Sequence, residues 1–206
     1  MSMKRRLGGS ERDILVVQSN LAVTCEMLGR SEQALHAKRE VYSGMVRLIG
    51  GEHESTLLAA SNYANSLICL RRFEEAKSLS RKTIAVARRA LGEGHRITLK
   101  MQWFYSESIY KDDCATLDDL HEAVGTLEDT ARISRRLLGS AHPLAMAIEG
   151  SLRDARAALH ARETPPSGST QNDQQGIVHH DKADFPPSTD NAWFDAPPHD
   201  DSRGDY

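Results

Sequence analysis

Three histidines recur along this chain, at positions 53, 95 and 142. Histidine is the side chain most often recruited for acid–base work or metal ligation near neutral pH. His53-Glu54 opens like the helix of a zinc protease, which needs a second histidine four residues after the first so that both rings share one face. Position 57 is Leu57, and the pattern stops there. Cys25, Cys69 and Cys114 are an odd, widely spaced set without Cys-x-x-Cys, the pattern of reduced thiols in a core. No Gly-rich phosphate loop and no Gly-x-Ser-x-Gly elbow is present. His179-His180-Asp181 offers only weak metal contact, and Arg203-Gly204-Asp205 is a tripeptide in a polar tail. Nothing here predicts a catalytic centre, a cofactor or a metal site, and an enzyme is not expected.

The histidines mark a boundary that repeats. Ile49-Gly50-Gly51-Glu52-His53 returns 42 residues later as Leu91-Gly92-Glu93-Gly94-His95, and 47 residues after that as Leu138-Gly139-Ser140-Ala141-His142. Leu7-Gly8-Gly9 stands 42 residues before the first of them. Between boundaries the register holds: Asn20-Leu21-Ala22 aligns with Asn62-Tyr63-Ala64, Leu28 with Leu70, and Ala34 with Ala76 and Ala123. A fixed period of this length belongs to stacked supersecondary units, and hydrogen bonds that stabilise each turn explain the recurring histidines.

Each unit reads as two helices. Leu57, Ala60, Ala64, Leu67 and Leu70 step by three or four and form one apolar stripe, with Ser55 or Thr56 as its cap. A second stripe follows Arg71-Arg72 through Phe73, Ala76, Leu79, Thr83, Ala87 and Ala90. Gly50, Gly92 and Gly139 fall where helices end on a left-handed residue, and Gly29 does so inside the first unit. Ser10-x-x-Asp13 and Thr116-x-x-Asp119 fit capping boxes. The predicted helices are 11–28, 31–48, 54–70, 73–91, 96–111, 117–138 and 143–162. Ala22, Ala64 and Ser106 on first helices, and Ala34, Ala76 and Ala123 on second helices, permit close backbone approach.

Composition agrees. Of 206 residues, 39% are hydrophobic and only 5% aromatic, which favours helices packed through small side chains. No apolar run is long enough to span a bilayer, and the basic Met1–Arg6 start lacks a secretory apolar region, so a cytoplasmic protein is expected. The chain divides into a repeat-boundary remnant at 1–10, an array at 11–163, and an acidic, Pro-rich tail at 164–206 expected to be disordered. The units are about 11–50, 53–92 and 95–139, with a polar capping helix at 143–162.

The Leu-Gly-x-x-His boundary, the Thr56-Leu57 and Thr98-Leu99 pairs after it, and the Asn-x-Ala of first helices together resemble kinesin-light-chain-type tetratricopeptide repeats over residues 7–163. The resemblance implies an all-α, right-handed solenoid of about three helix-turn-helix repeats with a C-terminal capping helix. Departures from it are Arg71 in place of glycine, five extra residues around Asp112–Ala115, and Trp103-Phe104-Tyr105 in the third first helix, which predict an irregular third unit.

In that architecture first helices line a concave face. Candidate peptide-contact residues are Asn20, Val23 and Met27 (with Ser19) in unit one, and Asn62, Asn65 and Cys69 (with Ser61) in unit two. Unit three contributes Trp103, Phe104, Glu107, Tyr110 and Lys111. An asparagine amide both donates and accepts, so it can clamp a ligand backbone. The same asparagines would serve equally as structural hydrogen bonds inside the stack, and Trp103 and Phe104 as core. Residues 71–100 hold nine basic side chains against three acidic ones, which would favour acidic peptides if they rim the groove. Nucleic-acid binding has no motif here and the chain carries a formal charge of −3.

Within the tail, Asp190, Trp193, Phe194 and Asp195 set two aromatics between acids. The resemblance implies that acidic tryptophan peptides are suitable ligands, so the tail is a candidate occupant of its own groove. A flexible linker over residues 164–192 reaches about 30 Å. The expected role is a protein-binding adaptor or scaffold. The competing expectation is a structural or oligomerising module, or part of a longer array.

Overall fold

Each helix begins where a side chain can accept backbone N–H groups that a first turn leaves unpaired. In the computed structural model, which describes residues 10–164, seven helices follow one another: α1 Glu11–Met27, α2 Ser31–Ile49, α3 Glu54–Cys69, α4 Phe73–Leu91, α5 Arg96–Tyr110, α6 Leu117–Leu138 and α7 Pro143–Glu163. Both capping boxes form: Ser10 Oγ accepts from Asp13 N–H at 3.2 Å, and Thr116 Oγ1 accepts from Asp119 N–H at 3.1 Å. The cap of α3 is neither Ser55 nor Thr56. His53 Nδ1 accepts the Ser55 N–H at 3.1 Å, and His95 and His142 do the same for Ile97 at 3.3 Å and Leu144 at 3.1 Å. Thr56 is otherwise engaged, because its hydroxyl donates back to the Gly50 carbonyl at 2.7 Å; Thr98 repeats this on Gly92 at 2.8 Å. Gly50, Gly92 and Gly139 adopt φ of 88°, 92° and 88°, a conformation that a Cβ opposes. Glycine, histidine and threonine of the boundary motif are therefore one interlocked turn.

Between paired helices the chain turns at Gly29 with φ 71° and at Arg71 with φ 56°, so arginine holds the left-handed position that glycine holds one unit earlier. The third unit is irregular only in its connection. α5 runs unbroken, and the extra residues lie in the loop from Lys111 to Thr116, where Asp112 Oδ1 accepts the Cys114 N–H at 2.9 Å.

The small residues predicted to face one another, Ala22, Ala64, Ser106, Ala34, Ala76 and Ala123, are all fully buried. Leu57, Ala60, Ala64 and Leu67 form the buried stripe of α3, and Ala76, Thr83 and Ala87 that of α4. Ala90 is exposed and Leu79 only half-buried; Ser80 and Ile84 take the inward positions instead, because the stripe of α4 drifts with the 3.6-residue turn. First helix α3 packs on α5 and α5 on α7, α1 reaches α3 through the Ser66–Glu26 hydrogen bond, and second helices α4 and α6 lack such close packing. Sequential helices pack as antiparallel hairpins, and the array is a helical-repeat solenoid with first helices on its tighter, inner side.

Candidate functional site

The inner wall is built from α1, α3 and α5. Asn20 and Met27 are exposed and Val23 half-buried on α1; Asn62 and Asn65 are half-buried and Cys69 exposed on α3. Among the described residues the amides of Asn20, Asn62 and Asn65 make no side-chain hydrogen bond, so the structural role open to them from sequence is not taken up. Ser19 is half-buried, and Ser61, at 1% exposure, is sealed inside and lines nothing.

α5 behaves differently. Trp103 and Tyr110 stand half-buried and Lys111 half-exposed at the wall, but Phe104 is 6% exposed and sits in the core, stacked on Trp103 at 5.0 Å. Phe104 supports the wall and does not reach a ligand. Glu107, at 7% exposure, is likewise occupied: its Oε1 accepts from Lys111 Nζ at 2.7 Å, Ser151 Oγ at 3.2 Å and Tyr110 OH at 3.3 Å. Trp103 Nε1 donates to the same Ser151 Oγ at 2.7 Å, which ties α5 to α7. Burial, reinforced by the Glu107 charge, pushes the Tyr110 phenol well above its ordinary range, so it remains a donor. The sequence did not single out Ser151; its only signal was a position in register with Asn62 and Phe104.

A second network was also missed. On α2, Lys38 is 8% exposed and donates to Ser66 Oγ of α3 at 2.8 Å and to Glu26 Oε1 of α1, while Ser66 Oγ donates to Glu26 at 2.7 Å. A lysine in the buried stripe of a second helix was the available signal, since the residue 42 positions later is Ser80. Cys69 lies between the two networks and feels Glu26, Lys38, Glu107 and Lys111. Its outer surface is open, yet crowding by the helices and the Glu26 charge raise the thiol, which disfavours a reactive thiolate.

Of the basic run at 71–100, Arg96 and Lys100 stand on α5, and the other seven residues lie on α4 or its approach. Arg71 pairs with Asp113, Arg72 with Glu75, Lys77 with Asp119, Arg88 with Glu93 and Arg89 with Glu52, and Arg81 donates to Tyr105 OH at 2.7 Å. These residues belong to α4 and its approach, the outer layer. Between α4 and α6 lies a cavity of about 510 Å³ floored by Gln102, where Arg88 is already paired with Glu93 and Arg132 with Asp129. Among the described residues no three His, Cys, Asp or Glu side chains converge as metal ligands, and no helix is long and apolar enough to cross a membrane. Asp190, Trp193, Phe194 and Asp195 lie outside the described residues.

Paired helices in a 42- to 47-residue register, with small residues buried where they meet, define a helical-repeat array of the tetratricopeptide type in fold. Residues 56–97 match the family model described as tetratricopeptide repeat. The repeats are of the kinesin-light-chain type in fold. The structure of the putative kinesin light chain nearly identical TPR-like repeats of Podosopora anserina aligns with a TM-score of 0.62 at 23% identity, over 79% of this chain and 75% of that one. A point variant of the same repeats gives 0.63 at 23% identity, over 79% and 74%. BtubC (BKLC) from P. vanneervenii aligns at 0.56 and 17% identity, over 85% and 73%. No curated protein sequence matches the chain significantly.

Proposed function

We propose that the chain is a non-enzymatic adaptor that holds an extended peptide segment of another protein along the wall formed by α1, α3 and α5. Tetratricopeptide arrays generally mediate protein–protein interaction, and the finer reading rests on one observation. Asn20, Asn62 and Asn65 present amides with no side-chain hydrogen-bond partner among the described residues, on successive first helices. An extended peptide carries unpaired N–H and C=O groups at every residue, and amide side chains can satisfy both. Val23, Met27 and the half-buried Trp103 supply apolar surface for an anchor residue. Acidity in the ligand is a secondary determinant. Lys111, whose side chain is 38% exposed, stands at the wall paired with Glu107, while Arg71, Arg72, Arg88 and Arg89 are paired on the outer layer.

The chain's own Asp190–Asp195 segment has a matching aromatic-and-acid character, so it competes for the same wall. Calorimetric titration with a peptide spanning residues 186–200 tests both statements. Deletion of residues 164–206 should raise its apparent affinity, and Asn62→Ala with Asn65→Ala should lower it by about tenfold for the loss of about 1–2 kcal/mol of hydrogen bonding. Affinity unaffected by the paired asparagine change would remove the reading.

A further inference from the structure

One position of the inner wall changes its chemistry from unit to unit. Val23 of α1, Asn65 of α3, Glu107 of α5 and Asp154 of α7 are equivalent by the 42- and 47-residue spacing. The series runs from an apolar side chain through a neutral amide to two carboxylates, so this row becomes anionic towards α7. Neither carboxylate is fully spent on the fold. Glu107 is 7% exposed, and its hydrogen bonds from Lys111, Ser151 and Tyr110 all go to Oε1. Its Oε2 accepts none among the described residues and is not sealed from solvent. Asp154 is exposed, and among the described residues no ion pair or hydrogen bond engages it. The neighbouring Arg153 lies back against Gly150 instead. Both charges act on the same small volume, since the Tyr110 phenol, raised first by burial, feels Glu107 and Asp154 together. Lys111 offsets only one of them.

Trp103 completes the corner. Ser151 Oγ accepts from its Nε1 at 2.7 Å and donates to Glu107 at 3.2 Å, so indole and carboxylate share one hydroxyl. Half-buried and stacked on Phe104, the indole has ring surface left to offer, its single donor being used. An aromatic face beside carboxylate oxygens that lack donors attracts a cation, and a planar guanidinium can both stack on indole and donate to two oxygens. We propose that the α5–α7 end of the wall takes a basic side chain of the bound peptide, arginine by preference, against Trp103, Glu107 and Asp154. The proposal rests on the wall being a peptide site. It adds a charge requirement at one end, opposite in sign to the acidity favoured elsewhere along it.

Fluorescence titration of the full chain carrying Trp193→Phe, in which Trp103 is the sole indole, tests it. The probes are capped alanine pentapeptides with arginine, glutamine or glutamate at the centre. The arginine peptide should shift Trp103 emission and bind about tenfold tighter than the glutamine peptide, with the glutamate peptide weakest. Asp154→Lys should abolish that preference, and Glu107→Gln, checked by circular dichroism for unchanged helix content, should reduce it. Asp129→Lys, a charge change of the same size on the outer layer, should leave it intact. If Glu107→Gln does not fold, Asp154→Lys decides. Equal binding of the arginine and glutamine peptides, or a preference that persists in Asp154→Lys or falls equally in Asp129→Lys, would overturn the proposal. If the 186–200 peptide still binds by calorimetry in that event, the peptide wall stands and only its charge requirement falls; if neither binds, both fall.

Discussion

At the scale of single residues, the recurring histidines are structural. His53, His95 and His142 each accept an N–H through Nδ1 at the start of a first helix, which is why they keep the spacing of the boundaries rather than that of a metal site. Removing such a cap costs about 1 kcal/mol. His95→Ala should therefore lower the melting temperature by about 2–4 °C, and His95→Asn, whose side chain accepts in the same way, should recover most of it. Equal melting of all three proteins would show that the ring does something else. Asp119 gives the pH counterpart. Thr116 and Lys77 hydrogen-bond its carboxylate, at 3.1 Å and 2.9 Å for the Thr116 N–H and Lys77 Nζ, and hold it well below the usual carboxylate range. A depressed folded-state value means that the carboxylate stabilises the fold above the ordinary pKa near 4 and loses that contribution as pH falls further. Asp119→Asn should thus melt lower than wild type at pH 7, with the difference shrinking below about pH 4.

At the scale of helices, the register between units was readable because period, glycine and small-residue positions reinforce one another. Every helix boundary lies within a residue or so of the expected one: α1 closes at Met27, α3 at Cys69 and α5 at Tyr110, against expected ends at 28, 70 and 111. What could not be read was which side chains serve the helix ends and the seams between units. Thr56 fits a cap by type, yet as the third residue of α3 its hydroxyl reaches back to Gly50 while His53 occupies the cap. Phe104 and Glu107 fell on the expected inner face, but Trp103 stacking and the Ser151 contact draw them inward, and Ser151 is 44 residues from Glu107. Such pairings depend on three-dimensional neighbours that no local pattern encodes.

The first seam is polar through Lys38, Glu26 and Ser66, whereas its equivalent one unit later carries Ser80, whose hydroxyl is buried without a hydrogen-bond partner. Lys38→Met should cost about 1–3 kcal/mol by stranding Glu26 and Ser66. Ser80→Ala, which removes an unsatisfied group and leaves a cavity no larger than one atom, should be neutral or slightly stabilising. Chemical denaturation of both variants measures the contrast.

For the array as a whole, the two walls have different fates. Side chains of the outer layer pair with one another across α4, α5 and α6: Lys77 with Asp119, and Arg81 through Tyr105 to Glu122 at 2.7 Å. On the inner layer the amides of Asn20, Asn62 and Asn65 make no side-chain hydrogen bond among the described residues. On the proposed function, a ligand settling outside would displace several ion pairs, whereas along the asparagines of the inner side it would displace water. Amide hydrogen exchange of the 164–206 deletion, with and without the 186–200 peptide, tests this most directly. Slower exchange concentrated in α1, α3 and α5 is the expected result; protection confined to α4 and α6 would contradict the account.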